Sequence, residues 1–196
     1  MKYYSTNTEL PTLLDKGYVI RPLPEDLFNS VNTLYQKSKK FTREERSDEA
    51  LSITGKSELS LVSRYGHERD NLMNILLPLH EEIFGGTLIP EVMFGVRTYF
   101  NGSMLDMHYD KFVTHHVGSI ICVDKDLNGT DDWPLHLIDH EGKEQLIYLN
   151  VGDIVYYESA KLLHGRPTPL KGNSFSILMY HLSLDGYKYK SNDNLL

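Results

Sequence analysis

Apolar residues recur at helical spacing in the first half of the chain and at strand spacing in the second. Leu27, Val31, Leu34 and Tyr35 share one side of a predicted helix that opens at Pro24-Glu25-Asp26-Leu27-Phe28. The fixed φ of proline and two carboxylates near the positive helix end suit that start. A second helix is predicted from Arg69 to Phe84. Leu72, Ile75, Leu76, Leu79 and Ile83 lie along one side of it, and Gly85-Gly86 stops it. Between the two, Lys37 to Asp48 is charged and expected to be exposed.

From Pro90 the period shortens. Val92–Tyr99, His116–Val123, Leu135–Ile138, Gln145–Leu149, Asp153–Tyr157 and Phe175–Leu182 are short apolar or alternating runs. Asn101-Gly102-Ser103, Asn128-Gly129-Thr130 and His140-Glu141-Gly142 punctuate them. Many short strands with turns between them predict a sandwich or barrel. Helices packed outside a two-sheet jelly roll make the fold class α+β. The expected layout is one domain over 1–196: helical support over about 1–89, a jelly-roll core over about 90–183 and a polar tail over 184–196.

Composition narrows the function classes. The chain has 196 residues, 40% of them hydrophobic and 24% charged, which is ordinary for a globular domain. Lys and Arg number 20 against 27 Asp and Glu, a net charge of −7, and no long basic run is present. This argues against a nucleic-acid partner. The single cysteine, Cys122, lies in an apolar run, so no intramolecular disulfide forms and a buried side chain is expected. Met1–Ser5 lacks the apolar core of a signal peptide, and no run is long enough to span a bilayer. A cytoplasmic protein without a membrane partner is the expectation.

The chemistry centres on His108-Tyr109-Asp110 and on His164 in Leu162-Leu163-His164-Gly165-Arg166-Pro167. Two imidazoles and one carboxylate, with coordination positions left open, match the facial site of non-haem Fe(II) oxygenases. A His-X-Asp pair alone carries little weight in a chain with 9 histidines. His80-Glu81-Glu82 fits the same pattern inside the second predicted helix, where residues two apart point to different sides. On a strand residues two apart share a face, so His108 and Asp110, placed on a strand after Asn101-Gly102-Ser103, are the pair able to grip one ion. His136, His140 and His181 rival His164 only in number. His115 and His116 flank the site strand; one of them could line the pocket, with a structural or solvent-facing role the favoured reading.

The segment from Arg97 to Asp110, with its tyrosine, glycine-containing turn and His-X-Asp, resembles the prolyl-4-hydroxylase-like branch of the 2-oxoglutarate/Fe(II)-dependent dioxygenases. Asp132-Trp133-Pro134-Leu135, Leu149–Tyr157 with its Val151-Gly152-Asp153 turn, and Leu163–Pro167 resemble that family's central and distal strands. The resemblance covers roughly residues 90 to 183. It implies a double-stranded β-helix of cupin-like type, with His108, Asp110 and His164 as both metal ligands and catalytic centre. It also implies Fe(II), 2-oxoglutarate and O2 as cofactor and cosubstrates, with ascorbate as a supporting reductant. The reaction implied is hydroxylation of an unactivated C–H bond with release of succinate and CO2. Retention of Asp110 matters here, because halogenating relatives leave its coordination position open for chloride. The implied substrate is a prolyl or other amino-acid side chain, a peptide, or a small metabolite.

Tyr99, nine residues before His108, falls where that branch places a tyrosine beside 2-oxoglutarate. The anchoring cation departs from the pattern. Relatives place a Lys or Arg about ten residues after the distal histidine, and here Ser174 stands there. A buried carboxylate needs charge-assisted partners. Arg166, two residues past His164, is the leading substitute, followed by Lys171 and Arg97, with Ser176 or Tyr99 adding a hydroxyl. The departure keeps two alternatives in view: a cupin-like metal- or ligand-binding protein without turnover, and an iron oxygenase independent of 2-oxoglutarate.

Overall fold

The computed structural model describes residues 10–45 and 52–187. In chain order the elements are β1 (Tyr18–Pro22), α1 (Glu25–Ser38), β2 (Thr42–Glu44), β3 (Ile53–Thr54), β4 (Ser57–Ser60) and α2 (Gly66–Phe84). Then follow β5 (Leu88–Val92), β6 (Val96–Phe100), β7 (Met104–His108), β8 (Val117–Asp126) and β9 (Leu135–Ile138). β10 (Glu144–Ile147), β11 (Asp153–Tyr157), β12 (His164–Arg166) and β13 (Ser174–Leu184) complete the order.

The strands form two antiparallel sheets. The larger has the order β1-β11-β8-β13-β6-β4-β2, with β5 also paired to β13, and the smaller has the order β10-β9-β12-β7-β3. Two cores result, one on each face of the large sheet. On β13, Phe175 and Ile177 point between the sheets, whereas Leu178, Tyr180 and Leu182 point toward the helices. β11 divides the same way, with Val155 and Tyr157 on the inner face and Ile154 and Tyr156 on the outer. Because both faces are covered, these strands read in the sequence as nearly continuous apolar runs rather than clean alternation.

Helix α1 starts directly after Pro24 and buries Val31, Leu34, Tyr35 and Ser38. Helix α2 begins a turn earlier than its apolar spacing predicts and buries Leu72, Met73, Leu76, His80 and Phe84. Ile75, expected on that face, is instead 37% exposed. The stripe is rotated because His80, polar by type, belongs to the core. Its Nδ1 lies 2.8 Å from the Leu76 carbonyl and its Nε2 2.8 Å from Ser119 Oγ on β8. Both ring nitrogens are thereby satisfied, which removes the cost of burying the ring.

Two expectations need correction. The front of the chain is not purely helical, since β1 edges the large sheet against β11 and β2 and β4 extend it beyond β6. These strands are short, and β2 (Thr-Arg-Glu) is exposed throughout, so no apolar period announces them. The run predicted from Val92 to Tyr99 is two strands, β5 and β6, which pair with successive stretches of β13. No helix among the described residues is long and apolar enough to cross a membrane. The predicted N-terminal reading of Met1–Ser5 and the tail from Lys188 onward lie outside the described residues.

Candidate metal centre

The ends of two neighbouring strands of the small sheet bring the predicted ligands together. His108 closes β7, His164 opens β12, and the two are direct partners in the ladder, with ring centroids 4.4 Å apart. Gly165 permits this approach, because a Cβ there would fall 2.7 Å from the Asp106 carbonyl oxygen. Asp110 is not on the strand as predicted. β7 ends at His108, and Asp110 is held in the following loop by its N–H, which donates to the Ser159 carbonyl at 3.0 Å. The ladder stops where the chain must turn, and the loop after β11 supplies the lost partner.

Hydrogen bonds on the far side of each imidazole set its tautomer. His108 Nδ1 lies 2.8 Å from the Asp106 carbonyl and His164 Nδ1 lies 2.9 Å from the Leu162 carbonyl. A carbonyl only accepts, so each Nδ1 carries the proton and each Nε2 keeps a lone pair. Those two Nε2 atoms lie 3.7 and 3.9 Å from Asp110 Oδ1. Such separations are too long for hydrogen bonds, and one ligand atom from each residue lies within 4.8 Å of the others. Burial pushes His164 down to about 4. Burial and the neighbouring His164 do the same to His108, also to about 4. Burial raises the Asp110 carboxyl above its ordinary range. Neutral imidazoles and a carboxylate short of positive charge are what a divalent cation requires.

The three ligands open into a cavity of about 190 Å3 between the sheets. At one side lies Arg166, 1% exposed, its guanidinium 4.6 Å from the centroids of both Trp133 and Phe175. One of its terminal nitrogens donates to the Trp133 carbonyl. The other, Nη2, has no partner among the described residues, and neither does the buried Tyr99 hydroxyl. No carboxylate is ion-paired with Arg166 among the described residues. Burial lowers its pKa only to about 10, so it stays charged at neutral pH. A buried cation and a hydroxyl with spare hydrogen-bonding capacity line the cavity that holds the metal ligands.

The remaining anchor candidates fare differently. Arg97 lines the cavity, but Glu45 already grips it in two-point contact at 2.6 and 2.9 Å. Lys171 is exposed and outside the cavity lining. Ser176 is buried on the opposite face of β13, beside Tyr35 Oη at 3.3 Å and Thr98 Oγ1 at 2.9 Å. The period-2 rule places Ser174 on that same side. A basic residue ten positions after His164 would therefore face away from the cavity here, and Arg166 arrives from β12 instead.

Reading by residue number alone missed His181. It follows Ile177 and Met179 on the inward face of β13 and lines the cavity with them. Its Nδ1 lies 3.4 Å from Asp110 Oδ2, and the ring stacks on His115 at 4.0 Å, which therefore also belongs to the site. Counting alternate positions forward from Ile177 would have found His181. His136 and His140 pair elsewhere, with Glu144 at 2.7 Å and Glu158 at 3.0 Å. Cys122 is fully buried, and burial pushes its thiol up to about 12.

No family model matches the sequence, and no curated protein matches it. Solved structures do match it in fold. A prolyl-4-hydroxylase from Pseudomonas putida superposes with a TM-score of 0.57 at 14% identity, over 88% of this chain and 95% of that one. A 2OG-Fe(II) oxygenase family oxidoreductase from Burkholderia pseudomallei gives 0.65 at 12% identity, over 89% and 88%. HygX from Streptomyces hygroscopicus, solved with nickel, 2-oxoglutarate and hygromycin B, gives 0.62 at 11% identity, over 88% and 85%. The chain therefore has the double-stranded β-helix fold of the 2-oxoglutarate/Fe(II) oxygenases, prolyl hydroxylases among them.

Proposed function

We propose that this protein is an Fe(II)- and 2-oxoglutarate-dependent dioxygenase that hydroxylates an unactivated C–H bond. The observation that carries the reading is one cavity holding both halves of the required chemistry. Two imidazole nitrogens and a carboxylate oxygen lie within 4.8 Å of one another, and a buried guanidinium with no counter-ion among the described residues lies in the same cavity. His108, Asp110 and His164 would hold the metal. Arg166, with the Tyr99 hydroxyl, would receive the distal carboxylate of 2-oxoglutarate. Lys171 and Ser176 have no part in this reading, and Arg97 braces the wall through Glu45.

When bound, iron, 2-oxoglutarate and O2 supply oxidative decarboxylation to succinate and CO2, coupled to transfer of one oxygen atom to the substrate. The chain orients and shields. Ile120, Leu135 and Ile177 line the cavity and limit water beside the reacting centre. Burial holds the Tyr157 hydroxyl, 3.5 Å from His164 Nε2, well above its ordinary range, so it stays protonated. Ligand type alone does not select iron, because nickel and zinc bind such sites at least as well. Three protein ligands rather than four favour a catalytic over a structural ion.

The substrate in this reading is a prolyl or other amino-acid side chain, free or within a peptide, or a small metabolite. Phe94, 53% exposed, and Lys111 line the cavity as well and would offer an apolar face and a cation to it. The helical front and the jelly roll act as one domain, with the helices covering the outer face of the large sheet.

The test is succinate formation from 2-oxoglutarate in the presence of Fe(II) and ascorbate, which reports turnover even without the true substrate. Succinate from the parent chain and none from Asp110→Ala is the expected result. No succinate, together with no calorimetric binding of 2-oxoglutarate to the metal-loaded protein, would leave a binding module instead.

A further inference from the structure

The two oxygens of Asp110 look in different directions. Oδ1 faces the two ligand imidazoles at 3.7 and 3.9 Å, whereas Oδ2 faces His181 Nδ1 at 3.4 Å. Asp110 Oδ2 and His181 Nδ1 are both buried, and neither has a hydrogen-bond partner among the described residues. Two buried polar atoms left open toward each other call for an explanation. At 3.4 Å the two atoms lie just beyond ordinary hydrogen-bond length.

The surroundings fix His181 in that direction. His115 stacks on the ring at 4.0 Å, with the planes 23° apart. Behind the ring, β8 presents Gly118 directly opposite His181 in the ladder. A Cβ at Gly118 would lie 3.2 Å from His181 Nδ1, tighter than an ordinary contact. A larger residue there would crowd the imidazole out of its place. The ladder with β5 also breaks register between His181 and Leu182.

We propose that His181 is a positioning residue for the metal site. Its Nδ1–H donates to Asp110 Oδ2 and so leaves Oδ1 alone to face the metal. A carboxylate accepts only, so the proton must sit on Nδ1. The consequence is a one-point carboxylate ligand. A two-point carboxylate would take up a coordination position that 2-oxoglutarate or O2 needs. The inference rests on the metal-site reading above and adds a residue outside the triad. Outer hydrogen-bond partners of metal ligands typically change metal affinity by roughly 10- to 100-fold.

Asn and Leu have nearly the same shape, and the Asn amide nitrogen falls where His Nδ1 lies. Comparing His181→Asn with His181→Leu therefore separates the hydrogen bond from packing. The readout is Co(II) affinity and its visible ligand-field spectrum in the full chain, with His108→Ala as control. Co(II) binding is expected to weaken roughly 10- to 100-fold in His181→Leu, with a changed spectrum, and to return toward the parent in His181→Asn. A second measurement needs no variant to fold well: in the Zn(II)-loaded parent, the imidazole 1H–15N spectrum should show an exchange-protected proton on His181 Nδ1. Leu and Asn variants that bind Co(II) alike, with the parent's affinity and spectrum, would overturn the proposal while leaving the metal site standing. An unprotonated His181 Nδ1 would do the same. A parent chain that binds no Co(II), or binds it as well after His108→Ala, would overturn the metal site and the proposal together.

Discussion

A guanidinium buried against two aromatic rings, with no carboxylate against it among the described residues, is costly by itself, and Arg166 is in that position. The ring faces and one backbone carbonyl offset part of the cost, and the rest is relieved when an anion enters. Arg166→Met should therefore separate binding from stability. Affinity for 2-oxoglutarate is expected to fall by about 2 kcal/mol or more, roughly 30-fold or more. The urea midpoint of the ligand-free protein should hold or rise, since an unpaired buried charge has been removed. Calorimetry and urea unfolding on the same preparations check this; an unchanged 2-oxoglutarate affinity would remove Arg166 as anchor. The sequence singled out His108, Asp110 and His164, which the structure brings within 4.8 Å of one another, and Arg166, which lines the same cavity. Strand alternation accounts for His164 and Arg166 on β12, whereas Asp110 sits in the loop after β7. His181 was passed over because its inward position on β13 was not counted, and the Trp133–Phe175 pair was not legible because its members lie far apart along the chain and meet only in the fold.

At the scale of elements, helix α2 is attached to the large sheet through both apolar and polar contacts. Leu76 is fully buried, and Leu76→Ala should cost about 2–5 kcal/mol of stability in denaturant unfolding; a loss below 1 kcal/mol would mean that the helix is loosely held. His80 makes the same interface sensitive to pH. Burial lowers its pKa from 6.5 to about 4. Between those values the unfolded chain binds the proton and the folded chain does not, so stability falls as pH drops from 6.5 toward 4. The contribution of His80 over that window is about 3 kcal/mol. His80→Gln should flatten the pH dependence of the urea midpoint there by close to one proton, the other buried histidines being unaffected. An identical slope in parent and variant would show that His80 does not stay neutral in the folded state. α2 was readable from its apolar period, yet its buried side was misassigned because a histidine with both nitrogens satisfied packs like a core residue. The short strands β2 and β3 left no period to read at all.

At the scale of the molecule, the two-sheet architecture explains why the site lies where it does. The inner faces of both sheets are largely apolar, and β6, β7, β12 and β13 present Arg97, His108, His164, Arg166 and His181 to the cavity between them. The α+β jelly roll was visible in the sequence as a change of period near Pro90. The pairing order of the sheets was not, because antiparallel registers are set by contacts that no single strand encodes. The same architecture makes the site separable from the fold. The helices pack on the outer face of the large sheet, and the ligands lie on the inner side. The central claim is that one inter-sheet cavity binds both a divalent metal and 2-oxoglutarate. Anomalous diffraction from crystals grown with Mn(II) and 2-oxoglutarate under anaerobic conditions tests it most directly. The account predicts a single strong peak bounded by His108 Nε2, Asp110 Oδ1 and His164 Nε2, with the distal carboxylate of the cosubstrate against Arg166 Nη2 and the Tyr99 hydroxyl. A peak bound elsewhere, or an occupied metal with no 2-oxoglutarate beside Arg166, would contradict it.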